Sequence, residues 1–159
     1  MKALIIYDSR FGNTEKIARA IGETITPLGE AKVVQVGEAN LSELSSIDFL
    51  IVGSPTHGGG ATRAIKEFLR KIPANALENV RVASFDTRFS AKDKGLGTRI
   101  VLGIFRYAAG RIATILEYKG GYLATEPEGF IVEDSEGPLK KGELERAAVW
   151  ANEITKSKK

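Results

Sequence analysis

The chain has no cysteine and a single histidine among its 159 residues. Without thiols there are no disulfides, thiolate metal sites, iron–sulfur clusters or cysteine nucleophiles, and His57 alone cannot build a multi-histidine metal site. Long apolar runs are missing as well. The most apolar segment, GTRIVLGIFRYAAGRIATIL, is interrupted by Arg99, Arg106 and Arg111, and a bilayer span needs about 18 or more nearly uninterrupted apolar residues. Nor does one sign of charge dominate: 23 basic and 20 acidic residues leave a formal net charge of +3. No aromatic-basic RNA motif or zinc-finger spacing accompanies that small excess, so nucleic acid is not expected as a partner. The amino terminus runs straight into a strand-like pattern without the basic region, apolar core and cleavage site of a secretory leader, and the expectation is a cytoplasmic protein.

What is present is a regular alternation. Runs rich in Val, Ile and Leu occur at 2–7, 31–36, 48–54, 79–85 and 120–125. Between them, apolar residues recur at helical spacing: Ile17, Ile21 and Ile25; Ala64, Ile65, Phe68 and Leu69; a long stretch from Ile100 to Leu116; and Leu144, Ala147, Ala148, Ala151 and Ile154. A short helix fits Leu41 to Ser46. Near-continuous apolar strands separated by helices predict a parallel sheet covered on both faces, because parallel strands need long crossovers and the crossing helices bury both sides. The predicted fold is α/β: one domain over residues 1–159, three layers, with a doubly wound five-stranded parallel sheet. Ligands of such sheets bind beyond the carboxyl ends of the strands, so the loops after Tyr7, Gly53, Phe85 and Thr125 are the ones to read for chemistry.

The first of these loops is Ser9-Arg10-Phe11-Gly12-Asn13-Thr14-Glu15. Ser9 and Thr14 carry hydroxyls, Gly12 permits a tight bend, and the helix opening at Asn13 leaves backbone N–H groups without intrahelical acceptors. Amides, hydroxyls and the helix dipole together suit a phosphate without any lysine. The loop matches neither GxxxxGK[ST] nor GxGxxG. A purely structural reading also stands, in which Ser9 ends a strand and Asn13 or Thr14 caps a helix.

This stretch resembles the phosphate loop of the flavodoxin-like family, [ST]-x-[ST]-G-N-T-E after the first strand. The likeness extends through the strand and helix order, the GSPTHGGG loop at 53–60 and the terminal helix. It implies the sheet order 2-1-3-4-5 and FMN as cofactor, with Ser9, Arg10, Phe11, Gly12, Asn13 and Thr14 at the phosphate. Phe11 stands where the family has a second hydroxyl, so only its backbone amide serves there. In the loop after the third strand, the resemblance places Pro55 and Thr56 along the flavin ring and makes His57-Gly58 or Gly58-Gly59 the peptide that turns toward the flavin N5. His57 packs near the ring or faces solvent, and the alternative for the whole loop is a mobile glycine-rich connection. In SFDTRFSAKDKG, 84–95, the candidates are Asp86, Thr87, Arg88, Phe89 and Ser90, with Phe89 stacking on the ring, while Phe85 reads as core.

Arg81, Arg88, Lys92, Lys94, Arg99, Arg106, Arg111 and Lys119 outnumber Asp86, Asp93 and Glu117 between residues 81 and 119. Positive charge near a reduced flavin predicts a less negative reduction potential than an acid-ringed site gives. The helix over 99–116 is apolar nearly all round, which predicts a homo-oligomer contact. Glu126-Pro127-Glu128-Gly129 and Gly137-Pro138 read as turns on either side of a short extended piece at 130–132, with Glu126 and Glu128 as ordinary turn acids. Trp150 reads as packing. The implied function is an FMN-binding electron shuttle that meets a redox protein. The alternatives are an FMN-dependent oxidoreductase taking hydride from NADH or NADPH toward a quinone, and a flavin-free interaction domain. A phospho-receiver is disfavoured, because the third strand ends in Gly53-Ser54-Pro55 and not in an acceptor aspartate.

Overall fold

The computed structural model describes residues 1–89 and 107–158. The β-branched, near-continuous apolar runs become the strands: β1 (Lys2–Tyr7), β2 (Glu30–Gln35), β3 (Phe49–Pro55) and β4 (Arg81–Phe89). All pair in parallel, with Ile5 opposite Val33 on one side and Ile51 on the other, and Ile51 opposite Ala83. The intervening helices are α1 (Asn13–Ile25), α2 (Arg63–Lys71), α3 (Ala108–Tyr118) and α4 (Glu143–Lys156). A six-residue 3-10 helix at Leu41–Ser46 fills the predicted short helical stretch.

Because successive strand side chains point to opposite faces, the sheet sorts one sequence into two cores. Leu4, Ile6, Leu50, Val52 and Val82 meet Ile65 and Leu69 of α2 and Ile112 and Leu116 of α3. Ala3, Ile5, Ile51, Ala83 and Phe85 meet Ile17, Ile21 and Ile25 of α1 and Ala147, Trp150 and Ile154 of α4. Trp150, Phe85 and Phe130 pack edge to face with ring centroids 6.0 to 6.1 Å apart, so Trp150 and Phe85 are core residues, as their sequence positions predict.

The strand order is β2-β1-β3-β4-β5, the predicted arrangement. Its last position, however, is shared. β5 is only Tyr122–Leu123, beside Arg81 and Val82, while β6 (Glu128–Val132) runs parallel to Phe85–Phe89 farther along β4. The expected fifth strand over 120–125 is therefore shorter than its apolar pattern, and the extended piece at 130–132 is a sheet member. This pairing also corrects the expectation of a loop at 86–90: residues 86–89 continue β4, because β6 supplies the hydrogen-bonding partner that keeps them extended. The helix predicted over 99–116 is seen from Ala108 on. Its apolar residues Ala108, Ala109, Ile112, Ala113 and Leu116 are buried within the fold, and Arg111, Thr114, Glu117 and Tyr118 are exposed. The part from 99 to 106, which carries Arg99 and Arg106, lies outside the described residues, as do Ser90, Lys92 and Lys94.

Candidate functional site

The carboxyl ends of β1, β3 and β4 open into a cleft of about 290 Å³, near the lower end of the range for small-molecule sites, roughly 300–1,000 Å³. The loop after β1 supplies Ser9, Arg10, Phe11, Asn13 and Thr14; the loop after β3 supplies Pro55, Thr56 and His57; the end of β4 supplies Thr87, Arg88 and Phe89. Three of the four strand-end segments singled out in the sequence thus meet in one place, and the one directly after Thr125 does not line it. Gly12, Gly58, Gly59 and Asp86 support this wall without lining it.

Local chemistry shapes the first loop. Gly12 has φ 90°, a left-handed conformation that favours glycine, and serves as the residue before α1. The Ser9 hydroxyl accepts from the N–H groups of Gly12 (3.1 Å) and Glu15 (3.4 Å), folding the bend back on itself. Ser9 thus does the capping, a role the structural reading of the sequence gave to Asn13 or Thr14. Asn13 instead donates through Nδ2 to the Glu136 carbonyl at 3.1 Å, and the buried Thr14 hydroxyl pairs with that of Thr87 at 2.8 Å. The first-turn N–H groups of α1 have no acceptor inside the helix and, with the helix dipole, present a partial positive charge. Arg10 adds a full one. The Phe11 side chain is exposed, which leaves the backbone as that position's donor.

The loop after β3 is ordered by its glycines. Gly58 and Gly59 have φ of 56° and 81°, and His57 and Gly60 exchange backbone hydrogen bonds of 2.9 and 3.0 Å across them. This is a two-residue reverse turn of the kind that needs positive φ at both central positions. Thr56 is tied down on two sides: its N–H donates to the Thr87 carbonyl at 3.0 Å, and its hydroxyl accepts from the Ala108 N–H at 3.0 Å. Partial burial, and next the neighbouring Arg10, push the His57 imidazole below its ordinary value of 6.5, against a smaller pull from Asp8.

At the end of β4 the side chains divide. Phe89 is 53% exposed at the mouth of the cleft, available as an aromatic platform. Thr87 faces α1. Asp86, a cofactor-contact candidate in the sequence, is fully buried and holds Arg88 through two bonds of 2.6 and 2.7 Å.

Two lining residues have no counterpart among the sequence candidates. Val132, at the end of β6, and Ser135, in the following turn, complete the wall beside the first loop. The extended pattern at 130–132 was readable, but nothing local to it announces that it lies beside β4.

Among the described residues, several of the basic side chains counted between 81 and 119 are engaged away from the cleft. Arg81 lies over the Phe49 ring at 3.9 Å and donates to the Ser157 carbonyl, Lys119 donates to the Ile72 carbonyl at 2.6 Å, and Arg88 is paired with Asp86. Glu133, Asp134 and Glu136 are exposed in the turn that carries Ser135. The acidic turn packs against the first loop through the Asn13–Glu136 bond, so acids stand near the site as well as Arg10. Glu128 binds Arg146 at 2.9 Å, a structural role for that turn acid.

These features fit a flat, phosphorylated cofactor: an N–H and hydroxyl cradle at one end, and a slot between Thr56 and Phe89 at the other. Comparison with known proteins agrees. The family model for the flavodoxin domain matches residues 4–100. A flavodoxin from Aquifex aeolicus is 39% identical over 69 residues, covering 42% of this chain and 37% of the relative, so the chain spans little more than a third of that relative's length. A flavodoxin from Clostridium saccharobutylicum is 24% identical over 156 residues, covering 97% and 95% of the two chains. The crystal structure of oxidised Flavodoxin 1 from Bacillus cereus superposes with a TM-score of 0.78 over 100% of both chains at 21% identity, a likeness of fold. On the family match and the shared sheet order, the chain belongs to the flavodoxin domain family.

Proposed function

We propose that this protein is an FMN-binding flavoprotein that carries electrons between redox partners. The observation that carries this reading is the convergence of the Ser9–Thr14 cradle with Thr56 and Phe89 on a single cleft. The amides and hydroxyls of the first loop, with Arg10, receive the phosphate. Pro55, Thr56, His57 and Phe89 flank the ring, and Thr87, Val132 and Ser135 close the floor. Bound FMN supplies the redox chemistry. The chain's own part is to grip the phosphate, exclude water from the ring and offer peptides of the His57–Gly60 turn as hydrogen-bonding groups. On this reading the chain works as a single cytoplasmic domain that meets its donor and acceptor through the exposed rim of the cleft. Among the described residues no helix is long and apolar enough to cross a membrane.

Titrating apoprotein with FMN tests the proposal. The expected result is quenched flavin fluorescence and shifted visible bands at one FMN per chain; no binding would leave a flavin-free interaction domain. Steady-state oxidation of NADH or NADPH by the loaded protein with a quinone acceptor is expected to be negligible, and turnover would make it an oxidoreductase.

A further inference from the structure

Arg88 and Asp86 form a charged pair in a place where apolar side chains would fill the space at a lower desolvation cost. Residues two apart on a strand share a face, so the two point together toward α3. Asp86 is fully buried and the Arg88 side chain is 15% exposed. Besides Nε and Nη2 of Arg88, the carboxylate accepts from the Ala109 N–H at 2.8 Å, next to the Ala108 N–H that donates to the Thr56 hydroxyl. The guanidinium is held from its other sides too. Its Cζ lies 3.6 Å from the centre of the Tyr107 ring, and a Cβ on Gly129 would come within 2.3 Å of that same atom, so only glycine leaves room for it there. β4, β6, α3 and the loop after β3 all contribute to the clamp. Arg88 still lines the cleft. A cation is thus fixed in the cofactor's wall with its counter-ion fixed behind it.

We propose that Asp86 is a positioning and charge-compensating residue: by holding Arg88, it withholds a full positive charge from the cleft and keeps the reduced, more negative form of the cofactor from being over-stabilised. The inference rests on the FMN reading above. It also limits what Arg88 can add to the expectation that basic residues raise the potential, because the one basic residue of β4 in the cleft wall is matched by an anion, while Lys92, Lys94, Arg99 and Arg106 lie outside the described residues. Two electrons and one proton convert oxidised FMN into its anionic reduced form, and an uncompensated cation in the wall favours that form over the oxidised one.

The test compares the unsubstituted protein, Asp86→Asn, and Asp86→Asn combined with Arg88→Met. The ratio of FMN dissociation constants in the oxidised and reduced states is obtained from the midpoint potential against that of free FMN. Asp86→Asn is expected to shift this ratio about tenfold toward the reduced cofactor, the order expected of one unit charge at roughly 10 Å in a partly screened site. The double variant should return to within about twofold of the starting ratio. Amide exchange at Ala109 in the apoprotein should quicken in both variants, since a neutral carboxamide offers one weaker oxygen acceptor where the carboxylate offers two charged ones. If the amide variant does not fold, Asp86→Ser takes its place, alone and in the double. An unchanged ratio in the single variant, or a double variant as displaced as the single, would overturn the inference and leave the pair a clasp for α3. Failure of the unsubstituted protein to bind FMN would overturn the functional reading, and the inference with it.

Discussion

At the scale of single residues, the site shows how one side chain can be legible while its neighbour is not. Gly12 was readable because a positive φ just before a helix start is decided within a few residues; the Ser9 hydroxyl folds back locally on two amides, a cap the sequence reading gave to Asn13 or Thr14, and the Thr14 hydroxyl bonds Thr87, far along the chain. Asp86 was readable only as an acid near a strand end. Its burial depends on Arg88, Tyr107, Ala109 and Gly129, brought together by three elements. His57 is intermediate, since its exposure was one of two stated readings but its electrostatic surroundings were not. Burial is the larger cause of its lowered pKa and Arg10 the second. Arg10→Ala is therefore expected to raise the His57 pKa while leaving it below 6.5, as read from the imidazole proton shifts in an NMR titration of the apoprotein. A value unmoved by the substitution would show that Arg10 does not act on His57.

At the scale of elements, β6 is the feature that periodicity missed. A five-residue strand, interrupted from β5 by a turn, carries too short a pattern to reveal its partner, yet it extends β4 and brings Val132 and Ser135 to the cleft. It is held to α4 by Glu143, which sits in the first turn of that helix, where a negative charge suits the dipole. Glu143 accepts from the Ile131 N–H at 2.7 Å and from Arg146 at 2.7 and 3.0 Å. Arg146 also donates to the Gly129 carbonyl. Burial alone would raise the Glu143 carboxyl, but Arg146 and the Ile131 N–H bring it below its ordinary 4.5. A carboxylate lowered in the folded state contributes stability that is complete above the unfolded value and is lost as pH falls through the folded one. Glu143→Gln should cost about 1–3 kcal/mol at pH 7 and flatten the loss of stability below pH 4.5, as measured by urea unfolding across that range. An unchanged slope would place the acid sensitivity elsewhere.

At the scale of the whole molecule, the two cores on opposite faces of one sheet leave the cleft as a seam among strand ends, held by hydrogen bonds between its loops. A ligand that binds only the folded state stabilises it by mass action, about 2.7 kcal/mol at a hundredfold excess over its dissociation constant. For a chain of this size that corresponds to a rise of roughly 5–10 °C in Tm. FMN should produce such a rise in differential scanning calorimetry and riboflavin a smaller one, because the Ser9–Thr14 cradle acts on the phosphate. Equal shifts for the two would show that the Ser9–Thr14 segment does not act on the phosphate.

By itself the sequence determined the layers and the bend that opens α1, since hydropathy period, turn residues and helix starts are local and survive translation into structure residue by residue; the strand order followed from the family likeness. Only the tertiary structure decided that residues 86–89 are strand and not loop, that β6 and the turn after it wall the cleft, and that the charge of Arg88 is cancelled from behind. Those outcomes depend on groups far apart in the chain, whose hydrogen bonds and desolvation have no value until the sheet has brought them together.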